Sequence, residues 1–137
     1  MANMKDKSVE NLLSAELLVT NNKLSSSIHC YYYSVLQISK YILNNFCHTD
    51  YTTQKAEAKI YEYGSHNYVI NTTGENIRSK KGAKQCSDYY SQINKLKLYR
   101  ERADYDSEKI GSNFVNKSKI ECDSIHTLLK DIYEYEL

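Results

Sequence analysis

"LSSSIHCYYYSVLQISKYILNNF", Leu24 to Phe46, is the stretch on which the fold turns. Ile28, Tyr31, Tyr32, Val35, Ile38, Ile42 and Phe46 recur three or four positions apart, a spacing that gathers them on one side of a helix. The stripe is broad enough to face two partners, so the segment reads as the central helix of a helical core. Proline is absent and there are only four glycines in 137 residues, which removes the usual punctuation of β-turn-rich folds. An all-α, antiparallel bundle of four or five helices in a single domain, residues 1–137, is the expected architecture.

Upstream, Ser8 reads as the cap of a first helix over about 8–20, with Val9, Leu12, Leu13, Leu17 and Leu18 at helical spacing and "TNNK" as its stop. Between Cys47 and Lys81 the pattern weakens. Ala56, Ile60 and Tyr63 suggest one helical face, Gly64 interrupts, and Ser65 reads as the cap of another helix running toward Asn76. Beyond "RSKKGAK" a long helix carries Cys86, Tyr89, Tyr90, Ile93 and Leu96, with Arg100 and Ala103 continuing the same face. Gly111 and Ser112 form a stop and a cap, after which Val115, Cys122, Ile125, Leu129 and Ile132 mark a last helix to the C-terminus.

Formal charge is +1, with acids and bases interspersed, so no strong overall field draws the chain to nucleic acid or anionic lipid. A local patch must do any such work; Arg78, Lys80, Lys81 and Lys84 in "GENIRSKKGAK" read as a basic interhelical loop able to meet phosphates. Cys30, Cys47, Cys86 and Cys122 form no CxxC pair, and the start "MANMKDKSVE" lacks the apolar core of a secretory signal, so reduced thiols and a cytoplasmic location are expected. No apolar run approaches the roughly 20 residues that span a bilayer. The fourteen tyrosines read as helix-face residues that bury a ring and keep the hydroxyl wet. His29, His48, His66 and His126 show no metal-ligand spacing, and neither a metal nor an organic cofactor is expected.

In "YRERADYDSE", Tyr99 to Glu108, Arg100 and Asp104 stand four apart and pair on a helix for roughly 0.2–0.5 kcal/mol. Arg100 also continues an apolar face, and a charge turned toward a bundle needs a partner or a task.

Three blocks together resemble a HEPN domain, a helical family common in prokaryotic defence and toxin–antitoxin modules. "SSIHCYYYSVLQISKYIL" is similar to the family's second helix, "GSHNYV" places a histidine where many members have one, and "LYRERADYDSE" resembles an Arg, two residues, Ala-Asp-Tyr signature. The resemblance implies a helical bundle that forms a homodimer or pairs with a small nucleotidyltransferase. In catalytic members, metal-independent ribonucleases, an arginine is followed by four to six residues and a histidine; the histidine moves a proton and the arginine steadies the phosphate. This sequence departs there: Asp104, Tyr105 and Asp106 occupy the positions four to six after Arg100. The expectation is therefore a non-catalytic module that dimerises and binds RNA, a nucleotide or a partner protein through Arg100, Asp104, Tyr105 and His66. The alternatives are a ribonuclease toxin using Arg100 with His66 or Tyr105, and a partner subunit of a nucleotidyltransferase.

Overall fold

The structure, a computed structural model, describes residues 3–105 and 110–136. Six α-helices are present: α1 (Met4–Thr20), α2 (Leu24–Phe46), α3 (Tyr51–Ile60), α4 (Ser65–Lys81), α5 (Ala83–Tyr105) and α6 (Ser112–Tyr133), with no strand among the described residues. The expected bundle is thus built from five long helices and one short one, α3.

Helix α2 is the axis. Twelve of its 23 residues are buried, and every member of the predicted stripe from Ile28 to Ile42 is among them. At about 1.5–3 kcal/mol for each fully buried large side chain, this one helix outweighs all the surface ion pairs together. Its neighbours arrange themselves by direction. Lys5 lies over the Tyr41 ring and Ser8, further on, meets Ser34, and only residues 21–23 separate the two helices, so α1 runs antiparallel to α2. Ser39 meets Tyr89 at one end and His29 meets Asp104 at the other, so α5 is antiparallel as well. Tyr32 touches His66, Ser34 touches His126 and Phe46 touches Tyr133, which sets α4 and α6 alongside α2 in its own direction.

Several helix ends differ from their sequence reading, each for a physical reason. Asn3, whose side chain accepts from the Asp6 N–H at 3.0 Å, caps α1, which therefore starts before Ser8. Ser8 is instead fully buried and donates to the Ser34 carbonyl at 2.7 Å. Gly64, at φ 92, holds the cap position of α4 and Ser65 is its first helical residue; the helix continues past Asn76 because its next stop is Gly82, at φ 100. Arg78, Lys80 and Lys81 consequently sit in the last turn of α4, where they face its carbonyl end, and do not form a loop. Last, α6 ends at Tyr133, with Glu134 in the left-handed region.

The predicted face of α3 is turned outward: Ile60 is 86% and Tyr63 65% exposed, and Ala56 is exposed too. Gln54 sets the rotation. It is the helix's buried residue, and its Nε2 donates to the carbonyls of Lys40 (3.0 Å) and Thr49 (2.9 Å). Two backbone carbonyls satisfied by one amide fix the helix more firmly than exposed apolar groups can. In the middle of α4, Gly74 lies against the ring of Tyr90, and a Cβ there would overlap the ring. The tyrosines divide: Tyr32 and Tyr89 are fully buried with bonded hydroxyls, whereas Tyr63 and Tyr105 are exposed.

A chain of polar groups ties α1, α2 and α6 inside the core. Ser8 Oγ lies 3.0 Å from Ser34 Oγ, which lies 2.9 Å from His126 Nε2. Because the Ser8 proton goes to the Ser34 carbonyl, the remaining protons order themselves: Ser34 donates to Ser8, and His126 Nε2–H donates to Ser34. His126 Nδ1 is then left as a bare acceptor without a partner. Burial pushes its imidazole down to about 4. Below the unfolded value of about 6.5, the unfolded chain takes up a proton that the folded chain refuses. Stability from this group is therefore complete above that value and falls as pH drops toward about 4, by an amount on the order of 3 kcal/mol. Urea unfolding at about pH 7 and about pH 4.5 is expected to show an extra loss of roughly 2 kcal/mol in the wild type that His126→Gln lacks; equal losses in the two proteins would refute the assignment.

Candidate functional site

The directions of the helices bring three ends together at one end of the bundle. The N-terminal half of α2 supplies His29, Tyr32 and Tyr33, the first turn of α4 supplies His66, and the C-terminal half of α5 supplies Lys97, Arg100 and Asp104. The Arg100 guanidinium lies over the Tyr32 ring, 5.1 Å from its centre, a cation–π arrangement. Its Nη1 is 3.4 Å from Asp104 Oδ2, and that same oxygen is 3.3 Å from His29 Nδ1. On the other side, the Tyr32 hydroxyl is 3.0 Å from His66 Nδ1. The Tyr33 ring closes the group, with its centre 4.5 Å from the His29 ring and 5.5 Å from the His66 ring. Lys97 is anchored nearby, donating to Asn67 Oδ1 at 2.9 Å.

The electrostatics give each group a protonation state. Burial works against the Arg100 charge, yet the bond from Asp104 and the neighbouring tyrosines outweigh it, so the guanidinium is held even more firmly protonated than usual. Burial lifts the Tyr32 phenol far above its ordinary range, with Arg100 opposing only in part. Burial first, then the charges of Arg100, Lys40 and Lys97, lowers the His66 imidazole, which is therefore neutral at physiological pH. Arg100, which can only donate, also hydrogen-bonds to the Tyr32 oxygen, so the phenol proton goes to His66 Nδ1 and the neutral imidazole carries its own proton on Nε2. Arg100 is 11% exposed and its Nε is buried with no partner. The cleft thus offers a fixed cation and a neutral N–H donor beside a single carboxylate, a set suited to one phosphate or carboxylate group.

Of the four residues singled out in the sequence, His66 and Arg100 meet on Tyr32, and Asp104 joins them through Arg100. Tyr105 does not join them: its side chain is 77% exposed, because one step past Asp104 the helix turns it about 100° away from α2. Asp106 lies outside the described residues. His29, Tyr32 and Tyr33 are members that the sequence reading does not place in a site: Tyr32 stands there only in the α2 stripe, and His29 only among the histidines without metal-ligand spacing. Their signal was present in "IHCYYY", where His29 and Tyr33 stand four apart and share a face. Among the described residues, no three His, Cys, Asp or Glu side chains gather as a metal site, and no helix is long and apolar enough to cross a membrane. Compared with protein-family models, curated proteins and solved structures, the chain finds no match.

Asp104 neutralises a guanidinium that is largely removed from water, so its loss strands the charge, whereas replacing both partners with apolar groups removes both desolvation costs. In thermal or urea unfolding, Asp104→Ala is expected to lose about 1 kcal/mol more than the Arg100→Leu/Asp104→Leu double variant, the modest size reflecting partial exposure. Equal losses would show the pair to be energetically idle.

Proposed function

We propose that this protein is a HEPN-like helical module of a prokaryotic defence or toxin–antitoxin type system that binds the phosphate of RNA or a nucleotide at the Arg100 cleft without cutting it, and works as a homodimer. The likeness of the three sequence blocks supports the family. The observation that carries the binding reading is Arg100 itself, charged, nearly enclosed, positioned by Tyr32 and Asp104, and bordered by two histidines. A planar guanidinium so held matches a phosphate oxygen pair. The state of His66 argues against cleavage. A general base needs a free lone pair toward the substrate, but Nδ1 is occupied by Tyr32 and Nε2 bears the proton. A general acid needs the cationic ring near neutral pH, and burial with three neighbouring cations opposes it.

One observation favours a second reading, a metal-independent ribonuclease: Arg100 and His66, far apart in sequence, meet on the same tyrosine. Labelled single-stranded RNA and a nucleotide, each incubated with purified protein in EDTA, separate the two. Retention without cleavage, weakened about tenfold or more by Arg100→Ala, is expected. Cleavage that Arg100→Ala or His66→Ala abolishes would establish the ribonuclease, and failure to retain any of these ligands would overturn the binding reading.

The proposed dimer contact lies on α1. The stripe of α2 is consumed inside the bundle, while α1 leaves Leu13 (62%) and Leu17 (64%) exposed one turn apart. A second copy of the same helix is the proposed occupant, by a two-fold contact. Sedimentation at micromolar concentration is expected to give twice the 16.0 kDa chain mass, and Leu13→Glu/Leu17→Glu the single chain. A wild type that sediments as one chain would refute it, leaving a different protein, such as a small nucleotidyltransferase, as the surface's partner.

A further inference from the structure

A cavity of about 530 Å³ lies among α2, α3, α4 and the first residue of α1. That volume falls in the range of pockets that enclose small organic ligands. Two features define its chemistry. Lys40, Lys55 and Lys59 line it, and no carboxylate does. The remaining wall is largely apolar, formed by Met4, Ala58 and Val69 together with the aliphatic stems of the lysines.

Lys40 is the telling member. Its side chain is half-buried, and among the described residues no carboxylate pairs with it. Burial, and then the neighbouring Lys7, push its ammonium below the ordinary lysine value. An unpaired, partly desolvated cation on α2, with Lys7 as a like-charged neighbour and two lysines of α3 on the same cavity, is an unfavourable arrangement that an incoming anion relieves. An anion alone would leave the apolar wall in contact with water. A ligand with a charged head and an apolar body satisfies both.

We propose that this cavity binds an amphipathic anion, a carboxylate or phosphate monoester on an apolar chain, with its head among Lys40, Lys55 and Lys59 and its chain against Met4, Ala58 and Val69. His66 lines the cavity as well as the Arg100 cleft, so the variants that test the site are placed on α2 and α3 and leave His66 and Arg100 untouched.

Decanoate and decyl phosphate at submicellar concentration are the probes, titrated calorimetrically beside decanol, which lacks the head, and inorganic phosphate, which lacks the chain. At least one of the two amphiphiles is expected to bind about tenfold or more tightly than either control, and which of them binds identifies the head. Ala58→Trp, which fills the cavity from a half-exposed position, is expected to abolish binding, and Lys40→Gln/Lys55→Gln/Lys59→Gln to weaken it about tenfold or more. Circular dichroism establishes that each variant keeps the wild-type helicity, and the triple variant carries the test should Ala58→Trp not fold. The proposal is overturned if neither amphiphile binds, if decanol binds as tightly as they do, or if folded variants bind like the wild type.

Discussion

A helix buried around most of its circumference dictates what every neighbour must be. Helix α2 has partners on all sides, so each polar group it carries inward has to be matched by a group on another helix. Ser34 is matched by Ser8 and His126, Ser39 by Tyr89, and Tyr32 by His66. These pairs fix the rotation and register of α1, α6, α5 and α4 in turn, which apolar packing alone would leave adjustable. The hydrophobic stripe makes α2 central, and its few polar positions decide which arrangement around it is allowed.

The candidate cleft is one place where this matching is incomplete. At the N-terminal half of α2 the neighbouring helices supply a cation and an imidazole, and the matching stops short: among the described residues Arg100 Nε is buried without a partner. Inside the core, among the described residues, His126 Nδ1 is likewise left without a partner. The proposed binding at this end and the structural polar pairs at the other arise from the same packing problem.

The parts of this picture legible in the sequence are those set by short-range periodicity. The stripe of α2, the faces of α5 and α6 and the pairing of Arg100 with Asp104 follow from residues three or four apart, and the structure carries them. What the sequence hid depends on distant partners. The rotation of α3 is set by Gln54 reaching carbonyls on another element, which made Ile60 and Tyr63 look like a buried face when they are exposed. Ser8 looked like a cap because its true partner, Ser34, lies 26 positions away. Tyr105 belongs with Asp104 in the Arg, two residues, Ala-Asp-Tyr pattern, although adjacent residues on a helix point in different directions. His29 and Tyr32 were legible as helix residues, but their role required knowing that the end of α5 returns to the start of α2.

The close approach of Gly74 to the Tyr90 ring has a consequence for how this chain can change over generations. The ring occupies the space that a side chain at position 74 would need, and its hydroxyl is held by the Asn71 carbonyl, 3.0 Å away. Any larger residue at 74 meets a ring that is tethered, and any smaller residue at 90 uncovers a bare stretch of helix. Neither site is free to drift alone. Related chains should therefore show glycine with an aromatic, or a larger residue with a smaller one, and the mixed combinations should be rare: a two-letter signature of how closely α4 and α5 lie together, readable wherever enough kindred sequences can be set side by side.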